Sequence, residues 1–353
     1  MGAQYPTMNN GDRHTKDEPR DTALPATPQA KSLIDCHVHL AALPDGGNGC
    51  YISPTLLRSP LFRFLLWKHD LSPRHPREAN RKYINELRQE LLASAFVQKA
   101  VLLGMDGCYD AAGRLDKTHT EFLIPNDYVF ATVARYPHEF LAGVSINPQR
   151  QDALKELHRC AERGAALVKI LANAQQFDPA DARYKQFYRT MAERGLPLLS
   201  HVGYEFSLIG KDQSLGDPAR LRVPLDEGVT VIAAHACSSG LVVHEKFLPT
   251  FIDLAQRYAH FYADISSLTL PNRMRMLLCL RHLPHLHDRL LFGTDYPLSV
   301  FHLPAWGRLR LGALKMLMRT KNRFDRHYLV CKGLKVGFRS IGDLLPSLTS
   351  SKM

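Results

Sequence analysis

The sequence predicts an α/β protein built as a (β/α)₈ barrel, and three observations carry that prediction. Short apolar runs alternate with longer amphipathic segments along most of the chain. The runs number eight, the strand count of a closed parallel barrel. Several end in a histidine or an aspartate, and in a barrel the carboxyl ends of the strands converge on one mouth, where the active sites of this fold lie. A chain of 353 residues, 45% hydrophobic and 22% charged, supplies core enough for one large α/β domain.

Taken in order, residues 1–30 are rich in Asp, Arg, Asn, Pro and Thr and lack an apolar h-region, so they read as a disordered leader and not as a cleaved signal peptide. The barrel domain is then 31–353. Parallel strands covered by helices on their outer face read as nearly continuous apolar runs. Such runs fall at 33–39, 97–103, 141–146, 166–171, 198–202, 229–235, 261–265 and 289–292. Between them, Leu154, Leu157 and Ala161 share a helical face that ends at Gly164. Tyr184, Phe187, Tyr188 and Met191 form another that ends at Gly195, just before Pro197, so each glycine sits where a left-handed cap is wanted.

The first βα connection is unusually long. Its segment 54–76 carries an apolar patch expected to fold over the barrel mouth as a lid or substrate wall. After the last strand comes a basic helical segment: from Trp306 onward 11 Lys+Arg stand against 2 Asp+Glu, which is +9 of the chain's net +11 and leaves +2 for the rest. Leu309, Leu311, Leu314, Met316, Leu317 and Met318 lie among those charges and predict an outer-ring helix and tail, not a nucleic-acid arm.

Composition excludes other classes. The densest apolar run, Leu61 to Trp67, is interrupted by Arg63 and falls far short of the roughly 20 residues that cross a bilayer. Seven cysteines form no CxxC pair, so neither a disulfide framework nor a zinc ribbon is indicated, and a reducing, cytoplasmic compartment fits them.

The chemistry sits at the ends of the runs. The first strand ends in Asp35-Cys36-His37-Val38-His39, and side chains two apart on a strand share a face, so His37 and His39 are placed to chelate one cation with Asp35 beneath them as an orienting group. Taken alone, His-x-His also fits two histidines packed inward. Other strands decide the matter: the fifth ends at His201, the sixth at His235 and the eighth in Gly293-Thr294-Asp295-Tyr296-Pro297. Four histidines and an aspartate, each at the end of an apolar strand, fit a metal site better than a set of packed core residues. By contrast His282, His285 and His287 precede the eighth strand and read as surface residues at the opposite face.

The order His-x-His after strand one, His after strand five, His after strand six and Gly-Thr-Asp-Tyr-Pro after strand eight resembles the amidohydrolase superfamily. It is most similar to the amidohydrolase-related branch that includes aminocarboxymuconate-semialdehyde decarboxylase. The resemblance runs from about Leu33 to Leu345 and includes Gly195-Leu196-Pro197 before strand five and Asn322-Arg323-Phe324-Asp325-Arg326 in the tail. It implies that His37, His39 and His201 are metal ligands, that Asp295 is a ligand or a general base beside the metal, and that His235 is a catalytic acid/base or polarising group. A divalent ion with such ligands and an open position lowers the pKa of bound water; zinc is the expected ion, with manganese, iron or cobalt as alternatives.

Lys169 lies inside strand four. In binuclear branches of the superfamily a carboxylated lysine at this point bridges two metals, which would make it a second-metal ligand; the other reading is an uncarboxylated lysine pointing into the mouth. The start of strand one and the segment from Leu196 to Gly203 look more like the mononuclear branch, so one ion per chain is expected. The resemblance then implies a hydrolase of an amide, lactone or ester bond in a small organic molecule. A non-oxidative decarboxylase of a small carboxylic acid uses the same ligands, and a non-catalytic barrel scaffold is the remaining alternative. The expected partner is a small-molecule substrate, with no nucleic acid and no membrane, and with room for a homo-oligomer.

Overall fold

The computed structural model describes residues 31–205, 208, 212–242 and 244–345. The expected leader at 1–30 and the last eight residues lie outside the described residues. In chain order the strands are β1 (Leu33–His39), β2 (Tyr51–Ile52), β3 (Val97–Leu103), β4 (Phe122–Leu123), β5 (Phe140–Ser145), β6 (Leu167–Ile170), β7 (Leu198–Ser200), β8 (Val231–Ala233), β9 (Phe261–Asp264) and β10 (Leu290–Leu291). Eight of them form one sheet in the order β1-β3-β5-β6-β7-β8-β9-β10, paired in parallel. The edges meet: the Cys36 N–H donates to the Phe292 carbonyl at 3.0 Å, the Asp295 N–H to that of His37 at 2.8 Å and the His39 N–H to that of Tyr296 at 2.9 Å. This is the (β/α)₈ barrel that the sequence predicts. The two first expected runs match their strands end for end, the third is displaced by one residue, and the later strands are shorter than the runs.

Each strand contributes to two apolar layers. Ile34, Cys36, Val101, Leu103, Leu167, Leu199, Ile232 and Leu291 pack together inside the barrel, with Ile341 closing the amino-terminal end. The alternate residues, such as Leu102, Val144, Val168, Leu198, Val231, Phe261 and Phe292, pack outward against the helices. Alternation therefore points Lys169, His201 and Asp264 inward, on the same side as Leu167, Leu199 and Tyr262.

The helix Ala153–Glu162 ends before Gly164 (φ +80°) and Lys185–Glu193 before Gly195 (φ +62°), as expected of left-handed caps. Tyr184, Phe187, Tyr188 and Met191 are all buried. The other face needs correction: Leu154 is exposed, and the buried stripe is Ala153, Leu157 and Cys160 with Glu156 among them. Glu156 tolerates burial because Arg159 and Asn126 satisfy its carboxylate.

The long first connection folds into α1 (Pro54–Arg58), α2 (Pro60–Lys68) and α3 (Pro76–Leu92), each with proline in its first turn, where a missing N–H costs nothing. The antiparallel pair β2–β4, which the sequence reading did not anticipate, anchors this insertion to the loop after β3. Leu56, Leu61, Phe62 and Leu65 then line the cavity at the barrel mouth, so the insertion folds over the mouth as expected and forms part of the cavity wall.

In the basic segment, Leu317 and Leu309 are buried and Leu314 packs against the core, but Leu311, Met316 and Met318 are exposed. The segment is an outer helix, Leu311–Arg319, with a narrower apolar face than its composition suggests. The following helix, Arg323–Gly333, is tied in firmly: Arg323 closes on Glu90 at 2.6 Å and donates to the Tyr296 hydroxyl at 2.9 Å, while Asp325 accepts from Ser94 and from the Ala95 N–H. Among the described residues no helix is long and apolar enough to cross a membrane.

Candidate metal centre

His37 and His39 reach the mouth by a route that strict alternation does not give. Ile34 and Cys36 point into the barrel, yet Val38 and Leu40 point outward, so the alternation reverses where the β1–β3 register shifts between Asp35 and Val38. The reversal puts His37 and His39 on the mouth side and leaves Asp35 off it. The Asp35 carboxylate accepts from the backbone N–H groups of His37 (2.9 Å) and Thr294 (3.1 Å) and from the Thr294 hydroxyl (2.5 Å). It stitches β1 to the strand-eight loop and does not orient an imidazole, which corrects the role expected for it. Its burial raises its pKa to about 7, against the pull of the Thr294 hydrogen bond.

The orienting carboxylate is Asp264, at the end of β9. Its Oδ2 lies 2.7 Å from His37 Nδ1. A carboxylate only accepts, so Nδ1 carries the hydrogen and His37 Nε2 presents its lone pair to the mouth. The other Asp264 oxygen accepts from the backbone N–H of His235 at 2.9 Å, from that of Ser266 at 3.0 Å and from the Ser266 hydroxyl. Burial would raise the Asp264 pKa, but His37 and these hydrogen bonds outweigh it and hold the group ionised. The sequence reading missed Asp264, although the signal was there: an aspartate at an inward position of the apolar run 261–265.

His235 follows Ala234, which points inward, so alternation would send it outward. Left-handed backbone at His235 (φ +58°), Ala236 (+48°) and Cys237 (+59°) turns it back over the mouth. Its Nδ1 lies 3.1 Å from the Ser266 carbonyl and 2.8 Å from the Ser266 hydroxyl. A carbonyl cannot donate, so Nδ1 bears the hydrogen and Nε2 accepts from His201 Nδ1 at 3.3 Å. That relay leaves His201 Nε2 with a lone pair, buried and without a hydrogen-bond partner, with Glu205 Oε2 3.6 Å away. Burial lowers the pKa of all three histidines, strongly for His201 and His235, where the charge of Arg273 adds to it. Each shift favours the neutral imidazole, the form that binds metal.

Asp295, left-handed at φ +66°, accepts from the Ser267 hydroxyl; its Oδ1 lies 3.0 Å from His39 Nε2 and 3.5 Å from His37 Nε2. Burial would raise its pKa, but the surrounding His37, His39 and His235 hold it well below the usual carboxylate range. Gly293 permits this convergence, because a Cβ there would sit 3.0 Å from that of His37. Potential ligand atoms of His37, His39 and Asp295 lie within 4.8 Å of one another, as do those of His37, His235 and Asp264. The first group matches three of the four expected ligands. The fourth, His201, stands outside both groups, paired with His235.

Lys169 is buried and points inward, with Nζ 3.3 Å from His37 Nε2. Burial lowers its pKa, opposed by the fields of Asp264 and Asp295. His287 is half-buried and uses both ring nitrogens on backbone groups, while His282 and His285 are exposed, all away from the mouth. Cys237 is fully buried and is not part of the cavity wall; Tyr204 and Glu205 are, and His244 is not.

The residues present fit a divalent ion on their own chemistry. Nitrogen donors, one carboxylate and a buried imidazole nitrogen that makes no hydrogen bond are what such an ion requires, and a hydrogen-bonded carboxylate fixes the tautomer of His37. They open onto a cavity of about 280 Å³ whose wall includes His39, Lys169, His201, His235, Arg273 and Asp295.

Residues 34–314 match the amidohydrolase family. No curated protein sequence matches the chain significantly. Among solved structures, the chain is similar to an uncharacterized TIM-barrel protein from Bordetella bronchiseptica, 18% identical over 90% of this chain and 99% of that one with a TM-score of 0.56. It is also similar to a dihydroxybenzoic acid decarboxylase from Polaromonas sp. with bound manganese and 2-nitroresorcinol, 16% identical over 91% of this chain and 98% of that one with a TM-score of 0.52. At such identities the likeness speaks to the barrel alone. The family match, in contrast, runs from the first barrel strand into the helix after the last, and the chain belongs to the amidohydrolase family.

Proposed function

We propose that the protein is a metal-dependent hydrolase that cleaves an amide, lactone or ester bond of a small organic molecule. The observation that carries the reading is the convergence of His37, His39 and Asp295 on one point at the floor of a largely apolar cavity, with His201 and His235 beside it. His37, His39, His201 and Asp295 would hold one divalent ion, zinc in our reading, with Lys169 uncarboxylated. That ion, when bound, supplies the Lewis acidity that activates water and polarises the scissile carbonyl.

The chain's own groups do the rest. Asp264 fixes His37 as the Nδ1–H tautomer, so its Nε2 is always the available donor. Asp295, ionised and held by Ser267, is the base that takes a proton from water. His235 has its hydrogen on Nδ1, so Nε2 is the atom that would receive and return a proton at the reacting group, once it gives up the hydrogen bond it accepts from His201. Leu56, Phe62 and Leu65 of the insertion exclude bulk water over the site. The seven cysteines, none in a disulfide, support a reducing, cytoplasmic setting.

Purified protein assayed with and without added zinc or manganese against lactones, esters, amides and aromatic carboxylates tests the reading. Metal-dependent release of acid from one of the first three classes is the expected result. Carbon dioxide release from a carboxylate, with no hydrolysis, would replace it by the decarboxylase that the same residues can serve.

A further inference from the structure

Arg273 follows β9 by nine residues and starts the helix Met274–Leu280. It is 5% exposed and forms part of the cavity wall. Its guanidinium donates to two backbone carbonyls, Ser238 at 2.9 Å and Tyr204 at 3.4 Å. The carboxylates around it, those of Asp295, Glu205, Glu245 and Asp264, act on it only through their field, with no hydrogen bond or ion pair to it among the described residues. Glu245, for one, is engaged by the Ser238 hydroxyl and the Ser239 N–H, each at 3.0 Å.

Partly buried arginines here behave differently. Arg150 closes on Asp152 at 2.8 Å and Arg323 on Glu90 at 2.6 Å. A guanidinium does not shed its proton in a protein, so burying one without an anion is costly unless an anion arrives from elsewhere. Arg273 therefore stands charged, with a fork of donors only partly used, on the wall of a cavity whose apolar lining includes Leu56, Phe62, Leu65, Leu103 and Leu270 and whose charged lining also includes Lys169, Glu205 and Asp295.

We propose that Arg273 is the anion anchor of this cavity, and that the substrate is a small, largely apolar molecule bearing a carboxylate that Arg273 holds while a separate acyl group meets the His37, His39 and Asp295 floor. The anchor stands on the cavity alone; only the identity of the reacting group rests on the hydrolase reading. A carboxylate fits because its two oxygens match the planar fork; the other cation of the wall, Lys169, is turned to His37, with Nζ 3.3 Å from Nε2. The apolar lining takes the body of the molecule, and about 280 Å³ limits it to a small one.

The test uses full-length protein dialysed against a chelator, with two matched probe pairs, phenylacetate against phenylacetamide and hexanoate against hexanamide, followed by calorimetry and thermal shift. In metal-free wild type each acid is expected to bind roughly 10-fold or more tightly than its amide. Arg273→Met is expected to weaken the acids by roughly 10- to 100-fold and leave the amides unchanged, and Arg273→Lys, which keeps the charge but not the fork, to fall between. Melting temperature and metal content show whether releasing Ser238 and Tyr204 has disturbed the fold. If Arg273→Met does not fold, Arg273→Lys and the wild-type acid–amide comparison carry the test. No acid preference in the metal-free wild type, or a preference that survives in the arginine variants, overturns the anchor. So does acid binding that appears only with metal present, which would put the carboxylate on the ion. Arg273-dependent acid binding in a protein that hydrolyses nothing in the screen sustains the anchor and removes the hydrolase reading.

Discussion

The two ends of the barrel interior are built on opposite terms. At the amino end Ile34, Val101, Leu199, Ile232 and Leu291 fill the interior, and Ile341 closes it on a turn whose Ser340 hydroxyl accepts from the Ile34 N–H at 3.0 Å. At the carboxyl end the buried groups are His37, Lys169, His201, His235, Asp264 and Asp295. Of the eight non-glycine residues with left-handed backbone among those described, five are there: His235, Ala236, Cys237, Ser267 and Asp295. Such conformations cost about 1–3 kcal/mol each and persist only where the surroundings over-determine them. The apolar end thus stabilises a geometry that the polar end alone would not hold, and function and stability separate along the barrel axis.

The separation can be broken most severely at the first strand. His37→Ala/His39→Ala is expected to lower metal from about one ion per chain to near none and to reduce turnover by roughly 10³-fold or more, since the ion contributes several kcal/mol to the barrier. Elemental analysis beside the assay checks it, and equal metal in both proteins would sink the site. Next in size, His235→Asn should keep the metal and lose roughly 10²- to 10⁴-fold in turnover; metal lost along with activity would instead make His235 a ligand.

The amino end should answer in the other currency, stability. Leu199→Ala removes a fully buried side chain and is expected to cost about 2–5 kcal/mol in denaturant unfolding, with kcat of the folded enzyme unchanged. A tenfold fall in kcat would show that the two ends are coupled. His327, buried behind β10 against Phe292, sharpens the contrast through pH. Burial lowers its pKa from 6.5 to about 4. The unfolded chain therefore takes up this proton first, and stability falls as pH drops from about 6.5 toward 4. His327→Leu should flatten that decline by up to roughly 3 kcal/mol; an unchanged acid limb would assign it to other groups. The smallest expectation is no effect: the basic helix should not bind random duplex DNA in a salt-sensitive way, and steep salt dependence would contradict it.

Most of the barrel was legible in the sequence because parallel strands buried on both faces leave a continuous apolar run, which needs no partner to be seen. The histidines and Asp295 were legible for the same reason, as polar interruptions at the ends of those runs. Asp264 stood in an equivalent position but carried no histidine beside it. The pairings were not legible at all. That Asp35 holds Thr294, and not an imidazole, follows from a register shift in β1 that reverses the alternation. That His235 faces the mouth follows from three left-handed residues that no local pattern announces.

By itself, then, the sequence determined the strand count and the order of the polar strand ends, and offered a candidate set of metal ligands, because periodicity and residue chemistry are local properties. Only the tertiary structure decided which ring nitrogen of His37 and of His235 bears the hydrogen, which carboxylate orients His37 and that Arg273 is buried without a carboxylate partner among the described residues. Those depend on distances between residues up to 227 positions apart, as for His37 and Asp264, and a hydrogen bond exists only where both ends have been brought within reach.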